Sequence, residues 1–242
     1  MFYYLMGPIV TYNVILIASA VIPAVILLIR VYRIDRLEKE SFSLLGGLVV
    51  AGILSSLIAL VEERVLSTLL YNYVDPYSPL YRILLYFVVV AVSEETSKYL
   101  LLKYKTWRSY EFNCFFDGVI YAVFVSLGFA LWENINYVLS YGFSTALIRA
   151  LTAIPGHACF GVFMGIFYAA AKFYERRNDA GSCSLCKIMA LVAPILLHGA
   201  YDYIATMETE GFNWLFLVFV VIMFKISSKV VSNISRHDRY LD

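Results

Sequence analysis

The chain has 242 residues, of which 61% are hydrophobic and 15% charged, with a mean hydropathy of +0.75. Soluble domains run at roughly 45–50% and 25%, so a water-soluble globular protein is excluded. Lys+Arg 19 against Asp+Glu 18 leaves a formal net charge of +1, which offers no basic field to nucleic acid and no acidic excess typical of a disordered chain.

Apolar runs of about 20 residues, the length that crosses the hydrocarbon core, mark the elements in chain order. The first, 9–29, follows an uncharged stretch without a basic leader and stops at Arg30 and Arg33. The second is 42–60; Glu62, Glu63 and Arg64 behind it read as an interfacial charge run with no chemistry assigned. The third, 80–102, contains Ser93-Glu94-Glu95-Thr96-Ser97-Lys98, and the fourth, 115–139, contains Glu133 and Asn134. The fifth, 146–171, carries His157, with Arg149 two turns earlier expected to snorkel to the headgroups or to pair with Glu133. The sixth, 185–205, carries His198 and Asp202; the seventh, 212–224, has a polar amphipathic extension to Val231. Four cysteines read as reduced thiols, and Cys183-Ser-Leu-Cys186 as an incidental spacing.

The expected fold is therefore all-α: one polytopic transmembrane helical bundle of about seven spans, a single domain over 1–242. Lys and Arg cluster after spans one, three, five and seven, while the connections 71–79, 140–145 and 207–211 hold almost none. The positive-inside rule then puts the N-terminus outside and the C-terminus in the cytoplasm.

Charged groups at bilayer depth are costly, and are a functional hypothesis by default. Counting from span midpoints puts Glu94 and Glu95 within about 6 Å of the midplane, His157 and His198 within about 5 Å, and Glu133 about 9 Å towards the outside. Four spans thus bring polar groups to one layer, as a wet chamber requires. Glu94 with Lys98, and His198 with Asp202, are i,i+4 neighbours on single helix faces. Taken alone, each pair would also serve as a buried structural contact. Pro155 and Pro194 are expected to free a carbonyl near each imidazole, and Gly156, Gly161 and Gly165 to let neighbours approach span five closely.

Adjacent carboxylates with two histidines suit general acid–base work on water. Alternatively, His157, His198 and Glu133 would ligate a metal, Zn2+ being the most suitable, although no H-E-x-x-H is present.

These motifs resemble the PrsW-type intramembrane proteases, relatives of the CAAX prenyl proteases and bacteriocin-processing membrane proteases. The resemblance rests on Glu94-Glu95-x-x-Lys98, Gly128-Phe129 with Glu133-Asn134 and Tyr137, Arg149 before His157, and His198-x-x-x-Asp202. It extends to Tyr32-Arg-Ile-Asp35 and to Asp117-Gly118 with Tyr121. It implies a helical-bundle endopeptidase of the prokaryotic cell membrane that cuts a membrane-anchored protein, an anti-sigma-factor-like substrate. Within it Glu94 and Glu95 are the general base and its partner, and His157 and His198 stabilise the oxyanion or hold metal. Lys98, Glu133, Asn134 and Asp202 support them. Where the prenyl-protease relatives carry a histidine, this chain has Glu133, which argues against a prenyl-cysteine substrate.

Other functions fit parts of the pattern: a proton- or ion-coupled transporter using the same Glu/His cluster, a bis-histidine haem protein, or an inactive protease-fold binding protein. Paired Gly-interrupted segments of transporter repeats are not seen, and haem gives no reason for a Glu-Glu pair. The reading is an intramembrane protease whose partners are the lipid bilayer and a membrane-anchored substrate, with no nucleic acid.

Overall fold

The computed structural model describes residues 2–207 and 212–241, with side chains for 11–207 and 214–241. The described residues form α1 (Phe2–Ile34), α2 (Phe42–Tyr73), α3 (Pro79–Ile83), a π-helical segment (Leu84–Val90), α4 (Ala91–Thr106), α5 (Phe115–Tyr141), α6 (Phe143–Leu151), α7 (Ala153–Arg176), α8 (Ala180–Ala205) and α9 (Phe212–Arg236). The expected connection 207–211 lies, beyond Met207, outside the described residues.

Among the described residues, six stretches are long and apolar enough to cross a membrane: Thr11–Ile34, Phe42–Tyr73, Phe115–Tyr141, Phe143–Arg176, Ala180–Ala205 and Trp214–Arg236. The protein is an all-α, multi-pass integral membrane protein. The expected span 80–102 is not among the six. It is helical as α3, the π-helical segment and α4, but Glu94, Glu95 and Lys98 lower its apolarity. Those charges are tolerable because α4 packs on α2, α5 and α8, not on lipid alone.

Helix starts follow local chemistry. Ser41 caps α2 by accepting from Leu44 N at 3.2 Å, and Ser78 caps α3 ahead of Pro79 by accepting from Tyr81 N at 3.1 Å. Asp179 accepts from Ser182 N at 3.0 Å to start α8, just after Asn178 ends the previous turn at φ 58°. The expected span 146–171 is broken at Thr152 into α6 and α7. Pro155 consequently sits in the first turn of α7, where its missing N–H had no helical partner to lose. The expected interior kink at Pro155 is thus a helix start, whereas Pro194 does lie inside α8.

Helix α5 is the axis of the bundle, packed on α7, α2 and α1 and buried over most of its length. Small residues make that possible. A Cβ on Gly52 of α2 would overlap the Val125 carbonyl of α5, and one on Gly161 of α7 would meet Ser126 Oγ at 2.8 Å.

At the end of the bundle where Arg30, Arg33, Lys103, Lys105, Arg176 and Arg177 gather, here called the basic end, the chain returns to seal the start of α5. Phe115 N donates to Arg239 O at 3.0 Å and Leu241 N to Asn113 O at 2.8 Å. Asp238 accepts from Phe116 N at 2.9 Å, and Asp117 Oδ2 accepts from Cys114 N at 2.6 Å and Asn113 N at 3.0 Å. Tyr121, fully buried one turn on, donates to Glu40 Oε2 at 2.7 Å.

Candidate active site

Towards the opposite end, helices α2, α4, α5, α6, α7 and α8 and the π-helical segment line a cavity of about 620 Å³. Helix α4 supplies its charged wall. Lys98, wholly buried, donates to Glu94 Oε2 at 3.0 Å and to Glu95 Oε1 at 2.8 Å. Its ammonium stands 3.8 Å over the Phe129 ring of α5. The i,i+4 pair expected from spacing is therefore made, and Glu95 joins it at i,i+3. Glu94 lines the cavity, while Glu95 lies behind it with no exposure.

Each histidine bridges helices. His157 Nε2 meets Glu133 Oε2 of α5 at 2.8 Å, and its Nδ1 lies 3.3 Å from Lys98 Nζ. An ammonium can only donate and a carboxylate can only accept. Nε2 therefore carries the proton, and the Nδ1 lone pair faces the Glu94/Glu95 side. His198 Nδ1 meets Glu95 Oε1 at 2.9 Å, and its Nε2 lies 3.3 Å from Asp202 Oδ2 and 3.9 Å from Glu94 Oε2. Phe160 stacks on the His198 ring at 4.7 Å, fixing its plane, and the two imidazoles stand edge to face at 5.4 Å.

Behind His157 a further set of contacts reaches α1. Arg149 Nη2 pairs with Glu133 Oε2 at 2.9 Å, its Nε donates to Asn134 Oδ1 at 2.9 Å, and it lies 3.9 Å over the Tyr137 ring. Asn134 Nδ2 donates to Ala20 O at 3.1 Å. Of the two expected roles for Arg149, the geometry gives the pairing with Glu133. All eight side chains singled out in the sequence thus belong to one network.

Donor atoms of Glu94, Glu95 and His157 lie within 4.8 Å of one another. This set shares only His157 with the alternative ligand set His157, His198 and Glu133 expected from the sequence. One observation fits it to a cation: Glu95 Oε2 is buried without a hydrogen-bond partner. The Lys98 ammonium stands among the same three residues, 3.0 Å from Glu94 Oε2, 2.8 Å from Glu95 Oε1 and 3.3 Å from His157 Nδ1, and must withdraw for an ion to take that place. The four cysteines are free thiols, and Cys183 and Cys186 lie at the start of α8.

One cavity residue was missed. Glu63, assigned to an interfacial charge run, lines the chamber together with Ser56, Leu57 and Leu60. The spacing 56, 60, 63 is one helical face, and that was the available signal; its charge made the span seem to end at residue 60, three residues too early to include it.

The sequence comparisons agree with this geometry. A family model described as PrsW family intramembrane metalloprotease matches residues 40–226. Among curated relatives, Protease PrsW of Clostridioides difficile (strain 630) is 32% identical over 225 residues, covering 91% of each chain. Protease PrsW of Bacillus subtilis (strain 168) is 35% identical over 131 residues, 54% of this chain and 57% of that one. Protease PrsW of Shouchella clausii (strain KSM-K16) is 29% identical over 227 residues, covering 91% and 97%. No solved structure matches. With its acid pair, its histidines and more than three quarters of its length inside the match, the chain belongs to the PrsW family of intramembrane metalloproteases.

Proposed function

We propose that Glu94, Glu95 and His157 hold the metal of this intramembrane protease, that the metal is Zn2+, and that Glu94 is the base that takes the proton of the attacking water. The observation that carries the reading is the convergence of these three donors, with Glu95 Oε2 unpartnered, at the wall of a cavity of about 620 Å³. One imidazole with carboxylates is a donor set that Zn2+ accepts. What such an ion supplies is Lewis acidity towards water and the peptide carbonyl.

The remaining roles belong to side chains. Glu94 would hold the metal through Oε2, the oxygen that now accepts from Lys98, leaving Oε1 to accept a proton from water as the water oxygen adds to the scissile carbonyl carbon. The same proton passes to the departing amine nitrogen as the C–N bond breaks, which returns Glu94 to its starting state. His198, facing carboxylates at both ring nitrogens and so protonated at both, is held by Glu95 through Nδ1 and turns its Nε2–H from Asp202 to the developing oxyanion. Glu133, itself held by Arg149, fixes the proton of His157 at Nε2 and so turns Nδ1 towards the metal-holding group. Lys98 and Asn134 are positioning residues.

The substrate we infer is a membrane-anchored protein of the anti-sigma-factor type, reached from the outer face. In this reading the N-terminus is outside, the C-terminus is cytoplasmic, and the chain 1–242 is one protease unit. The test is cleavage of tagged single-span substrates by the detergent-purified protein, wild type beside Glu94→Gln, Glu95→Gln and His198→Ala, with metal content measured on the same samples. Stoichiometric zinc that falls in Glu95→Gln, with cleavage lost in all three, is the expected result. Zinc retained in full by Glu94→Gln and Glu95→Gln would refute the ligand set.

A further inference from the structure

We infer that Glu63 is a specificity subsite of the chamber, binding a basic side chain of the substrate close to the bond that is cut. The inference rests on the protease reading, since a peptide must then occupy the cavity. Glu63 lines that cavity with Glu94, Glu133 and Asp202, and the cationic side chain sharing the lining, Arg149, is already engaged by Glu133, Asn134 and Tyr137. Three of the four carboxylates have partners: Glu94 has Lys98, Glu133 has Arg149 and His157, and Asp202 has His198. Glu63 has no hydrogen bond or ion pair among the described residues. Its neighbour Glu62, by contrast, accepts from Ser97 Oγ at 3.3 Å.

A carboxylate on the wall of a partly water-excluded cavity, facing other carboxylates, is electrostatically incomplete. A Lys or Arg of the bound segment supplies the missing charge, and a substrate acid in the same place meets repulsion. The position on α2 sets where that residue must fall. Glu63 lies two helical turns beyond Ser56, about 10 Å nearer the end of the bundle that holds Arg149 and Thr206. The recognised residue therefore lies where the substrate leaves the membrane, where the long stem of a basic side chain lets its charge reach the headgroups.

The experiment uses the full-length, metal-loaded protein and a panel of single-span peptides in which Lys, Ala or Glu is placed in turn at each position flanking the cleaved bond on both sides. Wild type is expected to show one position at which kcat/KM for Lys exceeds that for Ala by roughly tenfold, with Glu the poorest. In Glu63→Gln the Lys and Ala peptides become equal, and in Glu63→Lys the order of Lys and Glu inverts. Because each readout is a ratio within one variant, partial loss of folded protein does not disturb it, and Glu63→Gln alone suffices where Glu63→Lys fails to fold. Wild-type cleavage without charge preference, or a preference retained in Glu63→Gln, overturns the subsite while leaving the protease intact. Absence of cleavage of every peptide by zinc-loaded wild type overturns both.

Discussion

Two buried polar clusters share this bundle, and they are satisfied in different ways. In the chamber, Glu94, Glu95, Glu133 and Asp202 are met by side chains: an ammonium, a guanidinium and two imidazoles from four different helices. At the basic end, Asp117 and Asp238 are met by the backbone N–H groups of Asn113, Cys114, Phe116 and Arg239, and Glu40 by the Tyr121 hydroxyl. A main-chain donor cannot leave without unfolding its segment, whereas a side chain can swing from one partner to another. The first cluster can accept a metal, a water or a substrate; in the second the two aspartates hold the chain in place, and Glu40 is met by a side-chain donor, the Tyr121 hydroxyl.

Substitutions can break that contrast. The largest stability effect is expected for Lys98→Met, which leaves two buried carboxylates with no ammonium and should cost about 3–5 kcal/mol, read as loss of thermal stability in detergent together with loss of cleavage. Glu94→Gln keeps the shape of the wall and should lower kcat/KM by about 10²–10⁴ with the melting temperature nearly unchanged; a melting temperature that collapses with it would make Glu94 structural. At the other cluster the signs exchange. Tyr121→Phe should cost about 1–3 kcal/mol by stranding Glu40, while the kcat/KM of the folded fraction stays at the wild-type value. A fall in kcat/KM there would show that the two clusters are coupled.

The smallest effect is on pH dependence. Burial raises the Asp35 carboxyl to about 6, with Lys39 opposing and Asp238 adding to the shift. Burial also raises Glu40 to about 7, against the hydrogen bonds from Tyr121 and Asp117 and with repulsion from Glu111 and Asp35. The folded state thus binds protons that the unfolded chain has already released. This stabilisation is complete below about pH 4 and is lost as pH rises through 6 to 7. Thermal stability should accordingly decline between about pH 4 and pH 7, and Asp35→Asn should flatten the lower part of the decline; an unchanged slope in that variant would remove Asp35 from the account.

The sequence made the frame legible because lipid imposes a length and an apolarity that can be counted. Expected 115–139 and 185–205 became Phe115–Tyr141 and Ala180–Ala205. The departures occur where lipid is not the neighbour. Helix α2 runs on to Tyr73, past the expected 60, because Glu63 faces a cavity and not acyl chains. Contacts within one helix, Glu94 to Lys98 and His198 to Asp202, followed from spacing. Those between helices, His157 to Glu133 and His198 to Glu95, depend on how helices are rotated about their axes, which no single-helix periodicity reports.

The π-helical segment Leu84–Val90 turns the position of the acid pair into a matter of chain length. Its hydrogen bonds span one residue more than those of α4, so it stores an extra residue directly ahead of Glu94. Were the segment to rewind as α-helix at constant length, α4 would rotate by about 100°, and Glu94 and Ser97 would occupy the places of Glu95 and Lys98. Loss of one residue within 84–90 would instead consume the slack and leave the chamber in register, whereas loss of one residue within 91–93 would bring Thr96 and Tyr99 to those places. Length variation among members of this family should therefore be tolerated before Ala91 and forbidden in the turn that follows it.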